Sequence, residues 1–357
     1  MSKIRVAVLF GGASNEHDVS LVSASNVIQN IPRDKYQIIT IGITKKGRWL
    51  YYPGDVSAIP TGEWERDPDC ASAVLSPDPL HGGFLISENG NVSVRKVDVV
   101  FPVIHGKTGE DGAIQGLLDL SRIPYVGCGL LASATCMDKV HTHTVLDYNG
   151  IRTARWRMVG HRDINNLDAV CADIAKALGF PLFVKPANSG SSIGINKAYD
   201  LDTLKDAVKI AFSHDNKVVV EEFIEGQELE VAVFGYDHAF ASYVGEIEPV
   251  TDFYDYESKY VLGTTKLHIP ARISDEKSKE IRETAMKAYQ AIGCKGLSRV
   301  DFFLKKDGTV ILNEINTMPG FTSISMYPKL MDDLGMKYDY LLDKLLEQAI
   351  DHAERTY

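Results

Sequence analysis

Long apolar runs are missing from this 357-residue chain, and so is any block of basic residues. The first absence excludes a membrane-spanning helix, which needs about 20 consecutive apolar residues. The second, with a formal net charge of −10, excludes a general binder of nucleic acid or anionic membrane, while leaving room for local phosphate sites. Cysteine is scarce: Cys70, Cys128, Cys136, Cys171 and Cys294 are odd in number and contain no C-x-x-C pair. That excludes a disulfide framework or a zinc site and fits buried, reduced thiols in the cytoplasm. Internal repeats and low-complexity tracts are absent too. What remains is a composition ordinary for a soluble globular protein, 45% hydrophobic and 24% charged, long enough for two or three domains.

The order of elements reads as α/β. Ile4 to Phe10 forms a buried first strand rather than a signal peptide, because its apolar run is short and ends in Gly11-Gly12. The turn "GGASNEHD" leads into an amphipathic helix over Val19 to Ile31, then a strand over Tyr36 to Ile43. Tyr51 to Lys96, rich in Pro, Gly and Asp, reads as an elaboration on that domain. "VDVVFPVIHG" and "IPYVGCG" give further strands, and a helix starts near Leu130. Leu167 to Leu178 reads as a helix ended by Gly179, Phe180 to Pro186 as a strand, Leu201 to Phe212 as a helix and Lys217 to Ile224 as a strand. Paired strands over Leu229 to Phe234 and Ala239 to Val244, a helix over Ile281 to Ile292 and a final amphipathic helix over Lys337 to Arg355 complete the chain.

Chemistry concentrates in "SRVDFFLKKDGTVILNEINTMPG", Ser298 to Gly320. Two β-rich runs flank Asp307-Gly308, a strong hairpin turn signal. A two-residue loop there sets Asp301 opposite Glu314. Alternation then gives one face Arg299, Asp301, Phe303, Val310, Leu312, Glu314 and Asn316, and leaves Val300, Phe302, Leu304, Ile311 and Ile315 as the core face. Two carboxylates and an amide oxygen suit hard cations such as Mg²⁺ or Mn²⁺. A solvated surface hairpin is the alternative; the clustering of polar groups at one end favours a cation, and this segment alone leaves both open.

Other stretches carry weaker signals. "HGKT" at His105 to Thr108 mimics the end of a P-loop, but Phe101 stands where that motif needs glycine. "VKPANSGSSIG" has small residues, the hydroxyls of Ser191 and Ser192, and Lys185 leaving a strand, which suit a phosphate; a plain flexible turn is the alternative. In "VVVEEFIEGQELEVAV", Glu221 ends a strand where a ribose or amine could be gripped, and backbone groups of Phe223 and Ile224 could edge an adenine, whereas Glu225 reads as solvated. Asp18 or Ser20 is expected to cap the first helix, Glu16 is a candidate to hold a substrate ammonium, and His105 and Glu110 lie at another strand end.

Taken together, "GGASNEHDVS", "HGKTGEDGAIQG", "MDK", "VKPANSGSSIG", "FYDYESKY", "RVDFF" and "NEINTMPGFTSISMYP" resemble, in order from about residue 4 to 347, the D-alanine–D-alanine ligases of the ATP-grasp superfamily. The resemblance implies an α/β (α+β) ATP-grasp fold of three domains. These would be an N-terminal α/β domain at 1–130 with an insertion at about 51–96, a central domain at 131–216 and a C-terminal domain at 217–357. ATP would lie between the latter two.

By motif position, Lys139, Lys185, Glu221 and Glu228 would contact ATP, with Ser191 and Ser192 over its phosphates, Phe223 and Ile224 at the base, and Lys259 and Asn313 also on the nucleotide side. Asp301, Glu314 and Asn316 match the family's ligands for two Mg²⁺ or Mn²⁺ ions, and a monovalent cation could assist. Glu16 would hold the first D-alanine's ammonium, with His105 near its carboxylate. Arg299 and the Gly320 backbone N–H would face the oxyanion, Ser325 and Met326 the second substrate, and Tyr260 would close a lid. Residues 1–60, "CMDKVHTHT" and "LHIPARIS" also resemble vancomycin-resistance ligases that add D-serine or D-lactate. Tyr260 argues against lactate, and Met326, apolar where serine-adding relatives often carry a basic residue, favours D-alanine. A nucleotide-binding regulatory module is the reading from another class; intact Arg299, Glu16 and lid residues oppose it. Resemblance alone implies a homodimer.

Overall fold

The computed structural model describes residues 2–190, 193–248 and 266–356. Ser191, Ser192, Lys259 and Tyr260 lie outside the described residues.

The first sheet contains β1 (Ile4–Gly11), β2 (Tyr36–Ile43), β3 (Trp49–Tyr51), β4 (Ala71–Leu75), β5 (Gly83–Glu88), β6 (Asn91–Lys96) and β7 (Val99–Pro102), in the order β6-β5-β4-β3-β2-β1-β7. β1 is parallel to β2 and to β7, and β3 to β6 extend the sheet antiparallel. The elaboration expected over Tyr51 to Lys96 is thus built into the sheet. Trp64 pins it, fully buried edge-on to Phe10 with ring centroids 4.9 Å apart. The strand expected in "IPYVGCG" is only a single parallel bridge, Tyr125 to Val100. Proline at 124 has no N–H to extend a ladder.

Helix α1 (His17–Asn30) begins at Glu16, and neither Asp18 nor Ser20 caps it. Asp18 pairs instead with Lys45 at 2.9 Å, and Ser20 is buried, accepting from Gly11 N–H and donating to the Val103 carbonyl. Ser20 therefore ties α1 to β1 and to the chain leaving β7. α2 (Ala113–Ser121), α3 (Leu130–Met137) and α4 (Lys139–Tyr148) follow. Asp138 caps α4, accepting from the N–H groups of Val140 and His141, which fixes where Lys139 leaves the helix.

The second sheet, in the order β10-β9-β11-β8, holds β8 (Trp156–Gly160), β9 (Leu182–Pro186), β10 (Asn196–Ala198) and β11 (Lys217–Glu222). It packs against α5 (Leu167–Leu178) and α6 (Leu201–Phe212) through a separate core that includes Ile174, Val184, Leu204 and Val220. β11, which the sequence reading assigned to the C-terminal part, is hydrogen-bonded between β8 and β9.

The third sheet, in the order β14-β13-β12-β15-β16, consists of β12 (Gln227–Gly235), β13 (Phe240–Glu248), β14 (Lys266–His268), β15 (Gly296–Leu304) and β16 (Val310–Asn316). One face packs on α7 (Asp275–Ile292). α8 (Met326–Asp333) and α9 (Tyr338–Thr356) join a core shared with β1 and α1.

The β15–β16 hairpin corrects the sequence reading in its middle. Lys305 N–H bonds Thr309 O and Gly308 N–H bonds Lys305 O, so the loop has three residues, with Gly308 at φ 81°. Phe302 consequently faces Leu312 and Leu304 faces Val310, while Asp301 still faces Glu314 because a bulge at Asn313 resets the register. Val310 and Leu312 belong to the core with Val300 and Phe302, not to the polar face. The physical reason is burial: unbroken pairing from a two-residue loop would place the Asn313 amide opposite Phe302 inside the core, which is costly.

Candidate active site

β15 lies between β12 and β16, and Glu230, Asp301 and Glu314 stand side by side across the three strands. Glu230 and Asp301 are buried. Like charges in register repel, so the row requires cations. Arg299, two residues along β15, supplies one: Nε and Nη2 donate to the two Asp301 oxygens at 2.7 Å each, and Nε lies 3.0 Å from Glu230 Oε2. Asn316 Nδ2 donates to Asp301 Oδ2 at 3.0 Å. Among the described residues no three His, Cys, Asp or Glu form a ready cage. The donor chemistry nonetheless fits a hard divalent cation, with two carboxylates and an amide oxygen at one end of a hairpin.

On the second sheet, Lys185 leaves β9 and its Nζ lies 2.7 Å from Glu221 Oε2 on β11; both side chains are largely buried. Burial would raise the Glu221 carboxyl, but Lys185 and His143 outweigh it and hold the group well below the usual carboxylate range. The other Glu221 oxygen receives His143 Nε2 at 2.9 Å. Lys139 Nζ donates to the Ser189 carbonyl at 2.7 Å; burial and nearby Lys185 push its ammonium below the ordinary value against the pull of Glu314 and Glu221.

The start of the small-residue loop is anchored on all sides. Ala187 N–H bonds Lys217 O, Lys139 N–H bonds Ala187 O, and Asn188 gives both its N–H groups to Asp215 Oδ2 at 2.7 and 2.9 Å. Its first residues are therefore fixed, unlike a free Gly/Ser turn. Phe223 N–H, expected at an adenine edge, is committed to the Pro181 carbonyl at 3.2 Å. The ring of Phe223 meets Phe183 at 5.7 Å, under Lys197 Nζ at 3.6 Å. Glu228 lies on β12 opposite Phe303, and Glu225 is exposed and paired with Lys306.

Glu16 joins this region to the first sheet. A Cβ on Gly190 would come 2.8 Å from Glu16 Oε2, and one on Gly106 would overlap the same oxygen. His105 is buried, with Nδ1 3.1 Å from the Met318 carbonyl and Nε2 3.0 Å from Ser23 Oγ, so protein groups engage both nitrogens. Glu110 Oε1 is 3.5 Å from its Nδ1. Burial raises the Glu110 carboxyl, and His105, drawn down by burial but lifted by Glu110, Glu16 and Met318, sits above its ordinary value.

At the far end Ser325 Oγ lies over Gly320, where a Cβ would come within 2.8 Å, and bonds the Thr322 hydroxyl at 2.7 Å. Met326 departs from expectation: it is 5% exposed, packed into the core against Gly245 with Tyr327 and Leu330. As the first residue of α8, its side chain follows the buried helix face rather than turning outward.

His143 was missed by sequence reasoning. Its only signal was its spacing four residues after Lys139, which places both on one face of α4.

The profile described as D-ala D-ala ligase N-terminus matches residues 5–128, and that described as D-ala D-ala ligase C-terminus matches 145–347. A D-alanine–D-alanine ligase of Acetivibrio thermocellus is 46% identical over 361 aligned positions, spanning 98% of this chain and 96% of that protein. The VanG D-Ala:D-Ser ligase of Enterococcus faecalis superposes with a TM-score of 0.89 at 42% identity, covering 98% of this chain and all of that one. The D-alanine–D-alanine ligase of Coxiella burnetii gives 0.86 at 34% identity, covering 99% and 97%. With the two profiles matched over residues 5–128 and 145–347 and a relative 46% identical over nearly the whole of both chains, this chain belongs to the D-alanine–D-alanine ligase family of ATP-grasp enzymes.

Proposed function

We propose that the protein joins two D-alanines into D-alanyl-D-alanine, converting ATP to ADP and phosphate, for peptidoglycan precursor synthesis. One observation carries the reading beyond family membership: Lys139, Lys185 and Arg299, each partly buried, cluster with Glu221 and the Glu230–Asp301–Glu314 row. Such an arrangement suits a polyphosphate with its cations, whose transfer depends on positioning and charge neutralisation.

In this reading Glu16 holds the ammonium of the first D-alanine, whose carboxylate takes the γ-phosphoryl group to form an acyl phosphate. The amine of the second D-alanine then attacks that carbonyl and phosphate leaves. Lys139 and Lys185 orient the phosphates. Glu221 and Glu228 act on the nucleoside side, with Phe223, Ile224 and Asn313. Arg299, held by Asp301 through Nε and Nη2, faces the oxyanion, with the Gly320 N–H as second donor. Ser325 acts at the second substrate. His105 and Glu110 stand behind Glu16 and set its surroundings. Ser191, Ser192, Lys259 and Tyr260 take the loop and lid roles the resemblance gives them, excluding water from the acyl phosphate.

Asp301, Glu314 and Asn316 would hold two Mg²⁺ or Mn²⁺ ions. Such ions supply charge neutralisation at the phosphates. A monovalent cation, a homodimer and a cytoplasmic location complete the proposal; among the described residues no helix is long and apolar enough to cross a membrane. Three sheets support three domains, with β11 favouring a second boundary after Glu222.

A D-serine-adding enzyme is the second reading, favoured by the higher identity to the VanG structure than to that from Coxiella. Met326, expected from the resemblance beside the second substrate and apolar there, favours D-alanine, and it packs with the core. Phosphate release from ATP and Mg²⁺ with D-alanine alone, then with D-serine or D-lactate in competition and products weighed by mass, decides. D-alanyl-D-alanine as main product upholds the proposal; a dominant mixed product replaces it with the second reading.

A further inference from the structure

His143 is 4% exposed and sits at the centre of a hydrogen-bonded line that no expected role uses. Its Nε2 lies 2.9 Å from Glu221 Oε1 and its Nδ1 2.9 Å from Thr153 Oγ1. The imidazole stacks on Trp156, centroids 5.2 Å apart and planes 16° from parallel, and Trp156 Nε1 is held by Asp147 Oδ2 at 3.0 Å. Asp147 also belongs to α4, so the histidine is clamped from its own helix, from β8 and from the segment carrying Thr153. Because a carboxylate only accepts, Nε2 is the donor toward Glu221. Glu221 holds Lys185 with its other oxygen at 2.7 Å.

This geometry has a consequence for nucleotide binding, and it rests on the ATP reading above. Lys185 cannot serve a phosphate fully while it is the sole support of a buried carboxylate, since an uncompensated buried charge is very costly. We propose that His143 is a positioning residue for the nucleotide: it fixes Glu221 from behind and keeps that carboxylate supported when Lys185 turns to the phosphates. His143 touches no substrate itself. It lets one cation be shared between Glu221 and the incoming anion.

Two substitutions separate this role from packing. His143→Phe keeps a flat ring against Trp156 but loses both hydrogen bonds, while His143→Gln loses the stack but can still donate to Glu221. ADP with MgCl₂ is titrated calorimetrically into each full-length protein without D-alanine, and KM values for ATP and D-alanine are measured separately. Hydrogen bonds to charged groups imply a roughly ten- to hundredfold loss of ADP affinity in His143→Phe. KM for ATP should rise in step, KM for D-alanine should not, and His143→Gln should recover most of the loss. Wild-type ADP affinity in His143→Phe, or equal impairment in both variants with unchanged melting, overturns the proposal. Thr153→Val, which removes the hydroxyl on His143 Nδ1 together with its bonds to Asp147 Oδ1 and the Ala154 carbonyl while keeping both His143 contacts to Glu221 and Trp156, serves if either variant fails to fold; it should weaken ADP binding in the same direction, and no change there also overturns the proposal. A protein that binds ADP in this manner yet ligates nothing would defeat the proposed reaction while upholding the role of His143.

Discussion

Arg299 clasps Asp301, two positions along the same strand, through both Nε and Nη2. The same guanidinium touches Glu230, so one cation serves as electrostatic keystone and as the expected oxyanion donor. Arg299→Ala should therefore do two things. Turnover should fall by about 10²–10³, as for loss of an oxyanion donor. Stability should fall by about 3–5 kcal/mol, because Asp301 and Glu230 lose the guanidinium they share. Arg299→Lys should restore part of the stability and little of the turnover, since an ammonium lacks the planar fork. Urea unfolding beside steady-state rates checks both; loss of turnover with unchanged stability would show that the clasp is not structural.

Gly106 has φ 71°, and a side chain there would collide with Glu16 Oε2. Gly106→Ala should cost about 1–2 kcal/mol for the left-handed backbone. It should also displace Glu16 and raise the D-alanine concentration needed at the first site, with ADP affinity unchanged. Saturation curves for each substrate, measured separately, test this.

Glu246 is held by Arg272 in a two-bonded pair, at 2.6 and 3.0 Å, and its carboxyl is lowered from 4.5 to about 2. Hydrogen bonding to Arg272 is the leading cause, opposed by burial. A depressed folded value means the stabilisation is complete above the ordinary value of 4.5 and disappears as pH falls toward about 2. Arg272→Gln should lower the urea midpoint at neutral pH, and its difference from wild type should shrink across that acid window. A gap constant with pH would contradict the assignment.

Trp64 fills the space over Gly42 and between Phe10 and Tyr52, anchoring the elaborated segment to the first sheet. Trp64→Ala should destabilise by about 3–5 kcal/mol. Its effect on catalysis per folded molecule should be small, which active-site titration beside unfolding curves can separate.

Local patterns made much of this legible. Helices over Leu167 to Leu178 and Leu201 to Phe212 were readable from apolar spacing and end signals, because each buries one stripe. Asp301 opposite Glu314 was readable from a turn and an alternation, although the actual loop and bulge differ from the simple count. Glu221 at a strand end was readable from the valines before it, whereas its pairing with Lys185 on the neighbouring strand was not. His143 was not legible, since its partner Glu221 is 78 residues away and an isolated helical histidine carries no local mark. Nor was the direction of Met326, which depends on which face of α8 the sheet covers. The first-helix cap failed for a similar reason: Ser20 found a partner across the fold in Val103, beyond any local rule.

The offset at the β15–β16 tip and the offset at Asn313 cancel, and this gives the hairpin two reading frames. The outer frame, from Val310 to Leu312, is keyed to the hydrophobic interior; the inner frame, from Glu314 to Asn316, is keyed to chemistry. The joint at Asn313 lets one strand satisfy both demands at once, placing Val310 and Leu312 in the interior and Glu314 opposite Asp301.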